Sequence, residues 1–164
     1  MNQDDLYAIM LQTDIVTLKN ICLTSKYNLC YNPHFWKDYF NHHGLQFKGA
    51  HLSEWIGEYI EQLAVKNRNI IWDLINRGGV EIPLTLQLIN DIKRLFPLHI
   101  KSIMNIYHGN IIYADALTIH YNYERYILAY YKNNVLLHSL SLTKQFINNI
   151  IYYLLTTFPN IRFK

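Results

Sequence analysis

The sequence has few cysteines and few charged residues. Only two cysteines, Cys22 and Cys30, occur among its 164 residues. So few thiols exclude a disulfide scaffold, and we expect a reducing compartment, with Cys22 packed inward as a small apolar side chain. Charged residues make up only 16% of the chain and hydrophobic residues 51%. This composition excludes wholesale disorder and is sufficient for a packed core.

The sequence also lacks a long apolar run. Its most apolar window, residues 150–155, is far shorter than the roughly 20 residues of a membrane span. The first residues, Asn2-Gln3-Asp4-Asp5, have neither the basic start nor the apolar centre of a secretory signal. We therefore expect a soluble, intracellular protein.

Acidic residues are missing from the last part of the chain. None follows Glu124, whereas basic residues do, namely Arg125, Lys132, Lys144, Arg162 and Lys164. The net charge of +3 is mild, and a nucleic-acid-binding module usually concentrates its basic residues on one face. A basic C-terminal face and an ordinary solvated surface are both compatible with this distribution.

No motif for catalysis, cofactor binding or metal binding is present. The chain has no Gly-x-Ser-x-Gly sequence, and Gly78-Gly79 is not followed by the Lys-Ser/Thr of a phosphate loop. The spacings of Cys22, Cys30 and His34 match no common structural zinc pattern. The prediction is a protein that is not an enzyme and has no cofactor.

The first 44 residues predict a module of three short helices. Asp14 is placed to cap the second helix, and Asn32-Pro33 is a strong start signal for the third. Phe35, Trp36, Tyr39 and Phe40 recur at the spacing of one helical face. Gly44 suits the left-handed position that ends a helix, and residues 45–50 resemble a linker.

The second region, residues 51–164, predicts helices over 51–108, strands over 110–140 and a final helix over 142–158. Within 51–108, one helix is expected around Trp55–Leu63, another around Ile70–Ile75, and a third beginning at Pro83. The strands are expected at 110–121, 125–132 and 135–140, with Asn133-Asn134 as a hairpin turn. The predicted fold class is α+β, with a three-stranded antiparallel meander packed by the final helix.

The order of landmarks in residues 5–40 resembles an F-box. Leu6 and Ile9 match the family's first helix, Leu18 and Ile21 its second, and Phe35-Trp36-Lys37 its closing aromatic segment. Ser25-Lys26 matches the characteristic exit from the second helix. Asp5-Leu6 stands where the family usually has Leu-Pro, and the stretch between Lys26 and Trp36 is slightly shorter than usual.

This resemblance implies a substrate receptor that docks on the Skp-type adaptor of a cullin-RING ubiquitin ligase. The second region would then hold an unknown target protein. The residues implied in docking are Leu6, Ile9, Leu11, Leu18, Ile21, Ser25, Lys26, Leu29, Phe35 and Trp36. The same apolar side chains fit an alternative in which they form the core of the module itself.

The chain is also similar to short F-box proteins of large DNA viruses, because it is rich in residues with A/T-rich codons, such as Tyr, Asn and Ile. This similarity implies the cytoplasm or nucleus of an infected host cell, or association with the virion. One alternative function is a structural or assembly protein of a virus particle or complex. Another is nucleic-acid binding by stacking bases on Tyr113, Tyr121, Tyr126 and Tyr130.

Overall fold

The computed structural model describes residues 3–24, 28–49, 52–107, 109 and 111–164. These residues form seven α-helices, two short 3₁₀ helices and a four-stranded antiparallel sheet, which confirms the α+β class. The chain divides into two compact units, Met1–Val65 and Lys66–Lys164. The predicted linker at residues 45–50 lies within the first of these units.

Three α-helices begin the first unit: α1 (Gln3–Gln12), α2 (Ile15–Thr24) and α3 (Pro33–His42). Asp14 caps α2 as predicted, because its Oδ1 accepts the Thr17 N–H at 3.0 Å. Asn32 caps α3 by accepting the His34 N–H at 2.9 Å, and Pro33 takes the first helical position. An unpredicted 3₁₀ helix, Asn28–Tyr31, precedes α3, so the module is not made of three helices alone.

The next element is the long helix α4 (Leu52–Arg77), and the division between the two units falls inside it. The expectation of two separate helices here is wrong. The polar stretch between Val65 and Ile70 has no proline or glycine to interrupt the hydrogen-bonded ladder. Gly78 and Gly79 follow with φ of 151° and 130°, where an L side chain is strained, and the helix ends there as predicted.

The sheet has four strands where three were predicted. These are β1 (Val80–Pro83), β2 (Ala116–Asn122), β3 (Arg125–Lys132) and β4 (Val135–Leu142), in the spatial order β1-β2-β3-β4. β1 was missed because it is short and pairs with residues distant in sequence, Val80 opposite Ile119. Pro83 ends this strand and does not begin a helix, contrary to the prediction.

Three helices complete the second unit: α5 (Leu86–Leu95), α6 (Leu98–Met104) and α7 (Lys144–Thr157). Thr85 caps α5 by accepting the Leu88 N–H at 3.0 Å, and Thr143 caps α7. The predicted strand start at residue 110 is too early, because Ile111–Tyr113 forms a 3₁₀ helix before β2. The predicted turn at Asn133-Asn134 is confirmed, with φ of 49° and 64°.

The core of the second unit lies between one face of the sheet and its helices. Leu117, Ile119, Leu128 and Tyr130 share this face by the strand register, and all are buried. The Tyr130 hydroxyl donates to the Met104 carbonyl at 2.7 Å, which ties the sheet to the end of α6. From α7, the buried side chains are Ile147, Ile150, Ile151, Leu154 and Leu155.

Within the part of the chain that the structure describes, no helix combines the length and apolar character needed to cross a membrane.

Candidate docking surface on the N-terminal helices

The core of the first unit is a cluster of aromatic side chains. Trp36 lies at its centre, with its ring 5.7 Å from the rings of Phe35 and Tyr39 and 6.0 Å from Trp55 of α4. The Trp36 Nε1–H donates to the Cys30 carbonyl at 3.0 Å, so its only polar group is satisfied although the side chain is buried. The aromatic face predicted for α3 therefore packs inward.

A pair of buried tyrosines joins α3 to α4. The rings of Tyr39 and Tyr59 are 5.0 Å apart, and the Tyr39 hydroxyl donates to the Thr13 carbonyl at 2.7 Å. Burial raises the pKa of Tyr39, and the nearby Tyr59 raises it further. Burial also raises the pKa of Tyr59. Both hydroxyls therefore stay protonated at physiological pH.

Tyr7 connects α1 to α3 through a hydrogen bond from its hydroxyl to Asp38 Oδ2. Burial and this acidic acceptor raise the pKa of Tyr7 to about 12. The ring of Tyr7 also contacts Phe35 edge-on, with 5.4 Å between the ring centroids. These contacts hold α1 in place against the aromatic core.

The raised pKa values predict a loss of stability in alkaline solution. Burial also raises the pKa of Tyr130 in the second unit. An unfolded tyrosine has a pKa near 10, so the phenols of Tyr7, Tyr39, Tyr59 and Tyr130 contribute full stability below that pH. This contribution is lost as the pH rises from about 10 through the raised folded-state values. We expect the thermal midpoint to fall between about pH 9 and about pH 11.5.

The measurement is thermal unfolding followed by circular dichroism, with the absorbance of tyrosinate recorded in parallel at each pH. Tyr7→Phe is the matched variant, because it removes the phenol whose pKa is about 12 and keeps the ring. Its thermal midpoint should decrease less than that of the wild type over the same pH range. Equal midpoints at both pH values in the wild type would contradict the burial of these hydroxyls.

Cys22 and Cys30 form a disulfide in this unit, with their Cα atoms 5.5 Å apart. Cys22 is partly buried and packs against the core as expected, but it does so as a disulfide-bonded residue and not as a free thiol. The disulfide also does not fit the reducing compartment that the few cysteines led us to expect. The bond joins α2 to the 3₁₀ helix before α3, and Cys30 is buried beside the aromatic cluster. The disulfide therefore constrains the connection between the second and third helices.

The structure separates the predicted docking residues into three groups. Leu18, Phe35 and Trp36 are fully buried in the core of the module. Partly buried side chains that pack against this core are Leu6, Leu11, Ile21 and Leu29. Ile9 of α1 is exposed over 51% of its surface. Ser25 and Lys26 lie outside the described residues.

Two exposed apolar side chains on α2 were not among the predicted residues. Leu23 is 72% exposed and Val16 is 38% exposed. They are spaced two helical turns apart and therefore lie on one face, to the side of the face that buries Ile15 and Leu18. Their spacing was visible in the sequence, but only the packed structure shows which side of α2 faces solvent. We call the exposed face of α2 that carries Val16 and Leu23 the N-terminal apolar surface.

Two other kinds of site were considered, a metal site and a surface that stacks nucleic-acid bases. Among the described residues, no group of three or more His, Cys, Asp or Glu side chains is placed to hold a metal ion. Of the tyrosines proposed to stack bases, Tyr130 is buried and Tyr126 contacts Trp72 with 5.3 Å between the ring centroids. Tyr121 is exposed and its ring lies 4.9 Å from that of Tyr126, whereas the exposed Tyr113 lies on the 3₁₀ helix before β2.

A small cleft of about 290 Å³ lies in the second unit between Gly79, Glu81 and Thr118. The buried Thr118 Oγ1 has no hydrogen-bond partner there. Gly79 packs closely on β2, because a Cβ at this position would come within 3.1 Å of the His120 Cβ.

Comparison of the chain with family models, with curated proteins and with solved structures gives no match. The function of the N-terminal apolar surface has therefore to be inferred from its own side chains.

Proposed function

We propose that the chain is a protein-interaction adaptor. Its first unit is an F-box-like module that docks on the Skp-type subunit of a cullin-RING ubiquitin ligase. Its second unit holds a target protein. The observation that carries this proposal is the N-terminal apolar surface, which leaves Leu23 72% exposed on a helix with the F-box-like pattern.

The exposed side chains do not belong to the core of the first unit. The core of the first unit is already filled by Met10, Ile15 and Leu18 together with the aromatic residues of α3. Full burial of a leucine or isoleucine side chain contributes about 1.5–3 kcal/mol. Covering Val16 and Leu23 with an apolar groove of the adaptor would therefore give a substantial part of a binding free energy.

Such a protein would act by proximity and would need no catalytic group. Binding the adaptor and the target at once raises the concentration of the target near the ligase. The second unit is connected to the first through the continuous helix α4.

The test is binding of the full-length chain to a eukaryotic Skp-type adaptor, with Leu23→Asp as the disruptive variant. Placing a carboxylate in the interface should weaken binding at least about tenfold, which corresponds to about 1.4 kcal/mol. Because Leu23 is exposed, the variant should unfold like the wild type. Leu18 is unsuitable for this purpose, because it is fully buried and a charge there would disrupt the core.

Leu98→Asp is the matched control, since Leu98 is also exposed, at 68%, but belongs to α6 of the second unit. It should bind the adaptor as the wild type does. Failure of the wild type to retain the adaptor would refute the proposal. So would an equal loss of binding in both variants.

A further inference from the structure

The disulfide lies beside the N-terminal apolar surface. Cys22 is in the last turn of α2 and directly precedes Leu23, which is 72% exposed. Its partner, Cys30, belongs to the 3₁₀ helix before α3 and is buried in the core of the first unit. The bond therefore fixes the end of the helix that carries the apolar surface to this core.

The last turn of α2 depends on the disulfide more than the first turn does. The first turn is held by Ile15 and Leu18, which are buried. In the last turn, Ile21 and Cys22 are only partly buried. A helix of ten residues is marginally stable without tertiary contacts. Reduction of the disulfide should therefore let the last turn fray, and Leu23 lies in that turn.

The core of the first unit should remain packed when the bond is reduced. Phe35 and Trp36 are fully buried, and their rings contact each other. The Trp36 Nε1–H donates to the backbone carbonyl of Cys30 at 3.0 Å and not to its sulfur. This hydrogen bond keeps the 3₁₀ helix attached to α3 in either redox state. Reduction should therefore loosen the end of α2 without unfolding the unit.

The two sulfur atoms differ in their exposure to a thiol from solvent. Cys22 is partly buried, whereas Cys30 is only 3% exposed. A glutathione thiolate therefore attacks the Cys22 Sγ and breaks the S–S bond, and the Cys30 Sγ leaves and takes up a proton. A second glutathione thiolate attacks the glutathione sulfur of the mixed disulfide and releases Cys22 as a thiol. The protein gains two electrons and two protons, and two glutathione thiols become one glutathione disulfide.

The expected compartment and the short loop both favour a bond that can open. The proposed function places the chain in the cytoplasm or nucleus, where disulfides are rare and those present are commonly transient or redox-sensing. Cys22 and Cys30 are separated by only eight positions. Closing so short a loop stabilises a fold less than closing a long one. A permanent structural bond is therefore the less suitable role for this pair.

We propose that the Cys22–Cys30 disulfide is a reversible redox switch that controls docking at the N-terminal apolar surface. In the oxidised form, the bond holds the last turn of α2 and keeps Leu23 in place for the partner. In the reduced form, binding has to order this turn first and is weaker. Glutathione disulfide restores the bond by the reverse exchange. The inference rests on the proposed function for the identity of the partner, but not for the loosening of α2.

The first test contains no adaptor. The full-length chain is equilibrated in mixtures of reduced and oxidised glutathione, and mass spectrometry measures the fraction that carries the disulfide. This fraction should fall as the share of reduced glutathione rises towards that of the cytosol, while the circular dichroism of the chain stays that of a folded protein. Amide hydrogen exchange in the last turn of α2 should become at least about tenfold faster in the reduced form. Because this opening is local, the faster exchange should not depend on low concentrations of denaturant.

The second test is the affinity of the two redox forms for the Skp-type adaptor. The oxidised wild type should bind about tenfold more tightly than the reduced wild type. Cys22→Ser/Cys30→Ser is the matched control, since it should bind as the reduced wild type does, with or without reductant. This control also shows that the reductant does not act on the adaptor. Leu23→Asp should bind weakly in both redox states and lose most of the difference between them.

Three results would overturn the inference. The bond could stay closed in every glutathione mixture, it could open without faster exchange in the last turn of α2, or the oxidised and reduced forms could bind the adaptor equally. Absence of adaptor binding in both forms would refute the proposed function, and control of docking with it. The glutathione and exchange measurements contain no adaptor, so a failure of the switch is distinguishable from a failure of the proposed function.

Discussion

Replacement of Trp36 by alanine is expected to destabilise the first unit by about 3–5 kcal/mol. The side chain is buried and contacts the rings of Phe35, Tyr39 and Trp55. Its removal leaves a large cavity at the centre of the aromatic core. It also leaves the Cys30 carbonyl without the indole N–H that donates to it. Denaturant unfolding of the full-length chain, followed by circular dichroism, measures the loss.

Two variants show whether the effect arises from burial. Trp36→Phe keeps much of the ring volume and should cost clearly less than the alanine variant. Tyr31→Ala removes an aromatic ring that is exposed, and it should change stability by no more than about 0.5 kcal/mol. If Trp36→Ala cost as little as Tyr31→Ala, Trp36 would be a surface residue and the core described above would be wrong.

After Trp36→Ala, loss of the disulfide is expected to have the largest effect on stability among the variants described. Cys22 and Cys30 are separated by eight positions, and closing a loop of this size restricts the unfolded chain by about 2.5 kcal/mol. The double variant Cys22→Ser/Cys30→Ser should lower the free energy of unfolding of the first unit by about this amount. The measurement is the denaturant midpoint of the wild type with and without a thiol reductant.

The double serine variant is also the control for the reductant. Its midpoint should be the same under both conditions, and it should resemble that of the reduced wild type. A wild-type midpoint that does not change, although mass spectrometry shows that the reductant has opened the bond, would contradict a stabilising role for this disulfide.

The features of the fold that could be predicted from the sequence are mainly local. Asp14, Asn32-Pro33 and Asn133-Asn134 act on neighbouring backbone groups, so their roles follow from residue type and position. β1 could not be predicted in the same way. Its few residues form a strand because Val80–Pro83 pairs with β2, and no local pattern reports that pairing.

The candidate site was predictable only in part for a similar reason. The spacing of Phe35 and Trp36 showed that they share a helical face, but it did not show whether that face is covered. Trp55 and Tyr59 of α4 pack against α3 and bury it. Leu23 of α2 was not among the predicted residues, and it remains exposed. The disulfide likewise depends on how the chain returns from α2 to Cys30.

The most direct test of adaptor function is calorimetric titration of a purified Skp-type adaptor into the full-length chain at several temperatures. A one-to-one complex is expected, with a dissociation constant of about 1 μM or lower. Its heat-capacity change should be negative, because the N-terminal apolar surface is buried, and smaller in magnitude for Leu23→Asp than for Leu98→Asp. The absence of any complex at adaptor concentrations of about 100 μM would contradict the proposed function.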